Sequence, residues 1–156
     1  YEEIELPLVR NLSQLERKGV LIDEKLLTEQ SLALKDKIDE RITTRGYLTG
    51  IDGRHLQIRS RHSALNQLLQ STGAISVKKA TCILYDDLHK AGLRWGCHYG
   101  FVAHVHDEIQ ALVKPQHVSV YKDLAIKCFE KAGEYFQLLC PLTGEAKEGK
   151  NWMETH

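Results

Sequence analysis

Residues 101–113 read FVAHVHDEIQALV, two apolar runs joined by a histidine and two carboxylates. Each run has the length of a strand and the chain must reverse between them, so the stretch predicts an antiparallel hairpin with strands over 101–105 and 109–113. Tight turns favour Gly, Asn or Pro, and residues 106–108 contain none of them. Asp107 and Glu108 instead present hard oxygen donors of the kind that Mg²⁺ prefers. The competing interpretation is an ordinary solvated turn.

Two histidines accompany these carboxylates. His104 and His106 alternate with Val105, so an extended strand would place both imidazoles on one face. A transition-metal site would need a third ligand, and none lies at a suitable spacing. We therefore do not expect such a site.

The rest of the chain alternates between strand and helix periodicities. A second hairpin with a Gly-rich turn is predicted over 47–58, followed by a long helix over 60–90. Another helix is predicted over 115–136, with a short strand and a loop after residue 138. The buried stripe of that helix is predicted to contain Val118, Tyr121, Ala125, Cys128 and Ala132.

The predicted fold class is α+β. We expect both hairpins to form one small antiparallel sheet, with helices 60–90 and 116–136 packed on one face. A sheet this narrow should leave an edge or an apolar patch, which the N-terminal helices or a second copy of the chain would cover.

The N-terminal part is predicted to be helical, over residues 3–18 and again over 23–45. The second of these helices has Leu27, Leu34 and Ile38 on one stripe. We therefore expect a helical segment over 1–45 and a separate domain over 46–156.

Composition limits the class of protein. The chain has 156 residues, of which 42% are hydrophobic and 27% charged, which fits one globular domain with or without an appendage. No apolar run approaches the roughly 20 residues of a membrane-spanning helix, and no signal peptide is evident. Since residue 1 is Tyr, we expect the chain to begin inside a longer gene product or to have been trimmed. The four cysteines form no CxxC pair, which is typical of reduced, mostly packed cysteines in an intracellular protein.

The net charge of zero conceals an uneven distribution. Residues 1–40 have 6 basic and 10 acidic side chains, residues 41–98 have 9 and 3, and residues 99–156 have 6 and 8. A basic middle between acidic ends indicates an anionic partner for that middle. A solvated face without a partner explains the same distribution equally well.

A polar stripe opens the long helix. His62, Asn66 and Gln70 are spaced four residues apart and would lie along one side of it, while Leu65, Leu69 and Thr72 would face the core. Amide and imidazole groups can read groove edges while arginines hold phosphates. The candidate phosphate contacts are Arg54, Arg59, Arg61, Lys78 and Lys79. The competing interpretation is the solvated face of an amphipathic helix.

Several stretches together resemble family A DNA polymerases, the DNA polymerase I family, and most of all its phage-type branch. Residues 45–60 (RGYLTGIDGRHLQIRS), 61–74 (RHSALNQLLQSTGA) and 105–110 (VHDEIQ) resemble the C-terminal part of the palm. Residues 6–23 (LPLVRNLSQLERKGVLID) resemble the start of the polymerase region that leads into the thumb. The resemblance implies a thumb-like segment over 1–45 and a palm-like subdomain over 46–156.

The resemblance also implies roles for particular residues. Asp107 corresponds to the carboxylate of the third family motif, which helps to hold two Mg²⁺ ions, and Glu108 to its acidic neighbour. His106 corresponds to a residue near the primer terminus. The stripe of His62, Asn66 and Gln70 corresponds to positions that touch the primer–template duplex.

Two family motifs have no counterpart in the sequence. The first is D-x-S-x-x-E-x-R, which supplies the other metal-binding Asp, and the second is the fingers helix with Arg-x₃-Lys that grips the nucleotide. We therefore expect a fragment or remnant of a DNA-directed DNA polymerase that is inactive alone, with Mg²⁺ bound weakly or not at all. The alternatives are a non-catalytic module that binds duplex nucleic acid and a folded relic without a partner.

The expected partners are DNA and a second chain, or a second copy of this one, that covers the missing palm and fingers. No membrane partner is expected. The expected location is the cytoplasm of a bacterial or phage-infected cell.

Overall fold

The computed structural model describes residues 23–155, and the helix predicted over 3–18 lies outside them. The chain divides into two compact units, residues 1–44 and 45–156. Their assignment as thumb-like and palm-like stays a prediction.

The described part of the first unit is helix α1 (Glu24–Arg45), whose last residue belongs to the second unit. Asp23 caps the helix, because its Oδ1 accepts a hydrogen bond from the Leu26 backbone N–H at 2.9 Å. Of the predicted stripe only Ile38 is buried, whereas Leu27 and Leu34 are exposed. The predicted helix is confirmed, but two of its three stripe residues are exposed to solvent.

The second unit contains two hairpins, two long helices and a short C-terminal helix. Its elements are β1 (Tyr47–Thr49), β2 (His55–Gln57), a 3₁₀ turn (Arg61–Ser63), α2 (Ala64–Lys90), β3 (Tyr99–Val105), β4 (Glu108–Val113), a second 3₁₀ turn (Pro115–His117), α3 (Val118–Tyr135) and α4 (Trp152–Thr155).

Both predicted hairpins are present and antiparallel, but they form two separate two-stranded sheets. The prediction of one joint sheet was wrong. The reason is α2, which begins shortly after β2 and ends shortly before β3. With 27 residues it is about 40 Å long, so the two hairpins are attached to its opposite ends.

A β-bulge reverses the faces of β3. The pairs Phe101↔Ala111 and Ala103↔Gln110 leave Val102 unpaired, and beyond it the side chains of β3 change sides. His104 therefore turns toward α2, where its Nε2 lies 3.3 Å from the hydroxyl of Thr81.

The two-stranded sheet leaves apolar side chains in contact with solvent, as predicted. The exposed fractions are 63% for Val102 and 73% for Leu112. What covers them stays a prediction.

The core lies between α2, α3 and the β3–β4 hairpin. Leu84, Leu88, Cys128 and Ala132 are fully buried there, and Phe101 is among the partly buried side chains packed against them. The predicted stripe of α3 is confirmed at Tyr121, Cys128 and Ala132, while Val118 and Ala125 are half-buried. The α+β class with antiparallel strands and packed helices is confirmed.

Three further expectations were wrong. Leu65 and Leu69 are exposed at 42% and 61%, because the 18-residue α3 is about 13 Å shorter than α2 and leaves the first turns of α2 uncovered. After residue 138 the described part of the chain has no strand, since Pro141 interrupts pairing and the tail ends in α4. Of the four cysteines, all free, only Cys128 is buried.

Within residues 23–155 no helix is both long and apolar enough to cross a bilayer.

Candidate active site and nucleic-acid interface

The turn between β3 and β4 is a two-residue loop of His106 and Asp107, because Val105 pairs directly with Glu108. The tight reversal requires a positive φ, and His106 adopts it at 52°. A left-handed conformation costs a residue other than glycine on the order of 1 to 3 kcal/mol, and such residues cluster at functional sites. Among the described residues, the only other non-glycine with a positive φ is Gln137, at 53°.

The two carboxylates differ in their surroundings. Asp107 is exposed at the turn, as is His106, whereas Glu108 is half-buried at the start of β4. The amide Nε2 of Gln110 donates to Glu108 Oε2 at 3.3 Å. The hydroxyl of Thr155 in turn donates to Gln110 Oε1 at 3.4 Å. Glu108 is therefore connected through Gln110 to the C-terminal helix.

Neither Gln110 nor Thr155 was predicted as a site residue. Gln110 had a signal, because it lies two residues beyond Glu108 and shares its strand face. Thr155 had none, because its contact depends on the path of the tail.

The carboxylates border a groove of about 470 Å³ that lies beside β4, α3 and residues 145–149. Its charged lining includes the ion pair Lys122–Glu148, with a distance of 3.2 Å between Nζ and Oε2. The hydroxyl of Tyr121 is buried in its wall, with no hydrogen-bond partner in the described part of the chain. Burial raises the pKa of Tyr121 well above its ordinary value, so this hydroxyl remains protonated.

The donor set of the turn suits Mg²⁺ better than a transition metal. Asp107 and Glu108 offer only oxygen, and Mg²⁺ commonly takes one or two carboxylates and completes its shell with water and phosphate. Residues 23–155 contain no group of three or more His, Cys, Asp or Glu side chains placed to hold a metal. His104 and His106 do not share a strand face as predicted, because His106 lies in the turn.

The polar stripe is exposed at His62, Asn66 and Gln70, but it does not border the acidic groove. His62 belongs to the 3₁₀ turn before α2. Gln70 lies about three helical turns, or roughly 16 Å, before Thr81, the residue that contacts β3. The stripe therefore lies on a part of α2 that is distant from the β3–β4 hairpin, which carries the carboxylates.

The predicted phosphate contacts divide into two sets. Arg54, Lys78 and Lys79 line a second cleft of about 630 Å³. Arg59 and Arg61 are exposed but lie outside its lining. The five cations therefore do not share one groove.

Comparison with known proteins identifies the family. Residues 28–154 match the profile of DNA polymerase family A. The DNA-directed DNA polymerase of Escherichia phage Phieco32 is 37% identical over 130 residues, which are 79% of this chain and 20% of the phage protein. That of Enterobacteria phage T3 is 35% identical over 115 residues, 72% of this chain and 16% of the phage protein.

A solved structure has the same fold. It is the POL domain of Pol1 from M. smegmatis in complex with DNA primer-template and dNTP, with a TM-score of 0.55 and 21% identity. The match covers 63% of this chain and 19% of that one. The matches span only about a fifth to a sixth of the length of the phage relatives. The predicted resemblance is confirmed, and the chain belongs to DNA polymerase family A.

Proposed function

We propose that this chain is the C-terminal palm part of a DNA-directed DNA polymerase, a fragment that takes part in template-directed nucleotidyl transfer but does not polymerise DNA alone. The observation that supports this most is the β3–β4 turn, where Asp107 is exposed on a strained two-residue loop. Glu108 beside it is oriented by the hydrogen bond from Gln110. The family membership and the phage relatives named as DNA-directed DNA polymerases support the same function.

The residues of this chain would act mainly by positioning. Asp107 and Glu108 would hold Mg²⁺, which when bound neutralises charge on the transferring phosphoryl group. The short turn fixes the direction of Asp107, and Gln110 limits the rotation of Glu108. His106 would lie next to the primer end.

Two-metal phosphoryl transfer needs carboxylates on both sides of the ion pair. This sequence lacks the motif that supplies the second side and the helix that grips the nucleotide. We therefore propose that another chain, or another part of a longer protein, supplies both, and that Mg²⁺ binds weakly to this chain alone. The working location would be the cytoplasm of a bacterial or phage-infected cell.

DNA contacts would come from the exposed end of α2. His62, Asn66 and Gln70 would touch the primer–template duplex while Arg59 and Arg61 hold its phosphates. The exposure of all three stripe residues also favours the second candidate function, a non-catalytic module that binds duplex nucleic acid.

Catalysis is tested by primer extension with all four nucleotides and Mg²⁺. We expect no product above background from this chain. Extension that Asp107→Asn abolishes would contradict the proposal of an inactive fragment. The gene sequence on either side discriminates between a polymerase part and an independent module.

Duplex binding is tested by titration at several salt concentrations. We expect a dissociation constant of roughly 10⁻⁴ to 10⁻⁶ M at physiological salt. Arg59→Ala should lower the slope of log K against log salt by about one unit, whereas Asn66→Ala should weaken binding without changing the slope. Lys127→Ala is the matched control, since Lys127 is an exposed cation on α3 that borders neither cleft. Binding that is indifferent to Arg59 and Asn66 would favour the relic interpretation.

A further inference from the structure

The cationic cleft is formed by three elements that are distant in sequence. They are the β1–β2 turn, the middle of α2 and the end of α3, and the cleft volume is about 630 Å³. Among its lining residues are Arg54, Lys78, Lys79, Ile75, Tyr135 and Gln137. The predicted polar stripe and the carboxylates of the β3–β4 turn are not part of it.

The lining contains three cations and one carboxylate. Arg54 is paired with that carboxylate, because its Nε lies 2.6 Å from Asp52 Oδ2. Lys78 is exposed and forms no ion pair with any other described residue. The Nζ atom of Lys79 lies 3.7 Å from the ring centroid of Tyr135, a cation–π contact that covers one face of the ring. The cleft therefore attracts anions.

An aromatic side chain and an apolar floor accompany this charge. Tyr135 is 63% exposed, and its ring makes an edge contact with Phe136 at a centroid distance of 4.9 Å. Ile75 is buried beneath the cleft. A binding site for inorganic phosphate alone would need neither the exposed ring nor the apolar floor.

The backbone at the end of α3 is strained. Gln137 has a φ of 53° where glycine is usual. The N–H of Leu138 donates to Gly133 O and the N–H of Gln137 to Glu134 O, both at 3.0 Å. These bonds satisfy two carbonyls of the last helical turn. The C-terminal end of a helix disfavours anions, so the attraction for phosphate must come from the cations of the cleft.

We propose that this cleft binds single-stranded DNA, with an unpaired base stacked on the face of Tyr135 that Lys79 does not cover and neighbouring phosphates held by Lys78 and Arg54. Cationic grooves with aromatic side chains bind single strands in this way, because every base offers a flat face. A duplex fits less well, since its bases are already stacked. The cleft site rests on the proposed function only in having DNA as its partner, because none of its residues belongs to the β3–β4 turn or to the polar stripe.

The test is fluorescence anisotropy with a labelled oligo-dT. Tyr135→Ala should weaken binding about tenfold, which corresponds to about 1.4 kcal/mol, because the base loses the ring on which it stacks. Tyr135→Phe should bind like the parent. Lys78→Ala should weaken binding and lower the salt slope by about 0.7, while the control Lys127→Ala should change the affinity less than twofold.

A duplex probe separates this inference from the proposed function. Asn66→Ala should weaken binding to the duplex and leave binding to oligo-dT unchanged. Tyr135→Ala should weaken binding to oligo-dT and leave binding to the duplex unchanged. If Tyr135→Ala reduces the folded fraction, Tyr135→Leu replaces it, because leucine keeps the bulk of the side chain but lacks the flat ring. Tyr135→Leu should then show the same loss of affinity for oligo-dT. Equal losses for Lys78→Ala and Lys127→Ala would overturn the proposal. Competition by millimolar inorganic phosphate, together with indifference to Tyr135→Leu, would overturn it too and leave a simple anion site.

Discussion

The acidic groove at the β3–β4 turn and the cationic cleft at the β1–β2 turn are built alike but have opposite charge. Each lies beside a hairpin and borders both α2 and α3. Each also has a non-glycine residue with a left-handed backbone: His106 adjoins the acidic groove, and Gln137 lines the cationic cleft. Carboxylates border the first and cations the second, so a chain of zero net charge has one acidic region, proposed to hold a metal ion, and one cationic region, proposed to hold phosphates.

The two regions also differ in what supports them. The acidic groove rests on the core, since the fully buried Leu84 forms part of its wall. The cationic cleft depends more on exposed side chains such as Lys78 and Tyr135. Core substitutions should therefore destabilise the fold and with it the placement of the carboxylates. Substitutions of the exposed cleft residues should cause little loss of stability.

The largest effect is expected at Leu84. Leu84→Ala should lower the free energy of unfolding by about 2 to 5 kcal/mol, because it removes a fully buried side chain and leaves a cavity. Leu69→Ala on the same helix is the control, and should change it by less than about 0.5 kcal/mol since Leu69 is 61% exposed. Urea unfolding measures both. Similar losses of unfolding free energy for the two variants would contradict the location of the core between α2, α3 and the β3–β4 hairpin.

A smaller effect concerns the link between the helices that border both regions. Asp87 on α2 accepts hydrogen bonds from Lys131 on α3 and from Lys90. The Lys131 hydrogen bond is the main cause that lowers the pKa of Asp87, against the opposing effect of its partial burial. A lowered folded-state pKa stabilises the fold above the ordinary carboxyl pKa of about 4, and this stabilisation is lost as pH falls through the folded-state value.

Asp87→Asn should therefore reduce stability at pH 7 and flatten its decline toward pH 3. We expect a loss of no more than about 1 kcal/mol, because water screens the half-exposed Lys131. Urea unfolding at pH 7, 5 and 3 measures it, with Asp86→Asn as the exposed neighbouring control. An unchanged pH profile would show that the Asp87 pair does not stabilise the fold.

The elements of both regions could be predicted from the sequence where local periodicity determines them. The apolar runs on either side of residues 106–108 predicted the β3–β4 hairpin, and the spacing of Tyr121, Cys128 and Ala132 predicted the buried face of α3. The carboxylates in a turn without Gly, Asn or Pro singled out Asp107 as a candidate, and so did the resemblance to the polymerase family, which comparison confirms. Its role stays a prediction.

What could not be predicted depends on packing between distant elements. Tyr135 and Lys79 are far apart in sequence and meet only because α3 packs along α2. Leu69 has the spacing of a core residue, yet α3 is too short to cover it. The bulge at Val102, which turns His104 toward Thr81, has no signal in composition or periodicity.

The strained residues of the two regions should respond alike to glycine. His106→Gly and Gln137→Gly should each raise the free energy of unfolding by about 0.5 kcal/mol, because glycine adopts a positive φ without a steric penalty. The greater backbone freedom of glycine in the unfolded chain keeps the gain small. Alanine at the same positions should give no gain, and urea unfolding distinguishes the two. Equal results for glycine and alanine would show that neither turn is strained.

The smallest effect is expected at Asp107, and its sign separates the two regions. Without Mg²⁺, Asp107→Asn should strengthen duplex binding about twofold at low salt, because it removes repulsion between the carboxylate and nearby phosphates. Lys78→Ala, in the cationic cleft, should not strengthen it. The gain should vanish near 0.5 M salt, where screening is strong, and shrink when Mg²⁺ is added. Glu130→Gln is the control, since Glu130 is exposed on α3 and borders neither region. A gain of equal size in Asp107→Asn and Glu130→Gln would mean that duplex binding responds to net charge alone and that the duplex does not approach the β3–β4 turn.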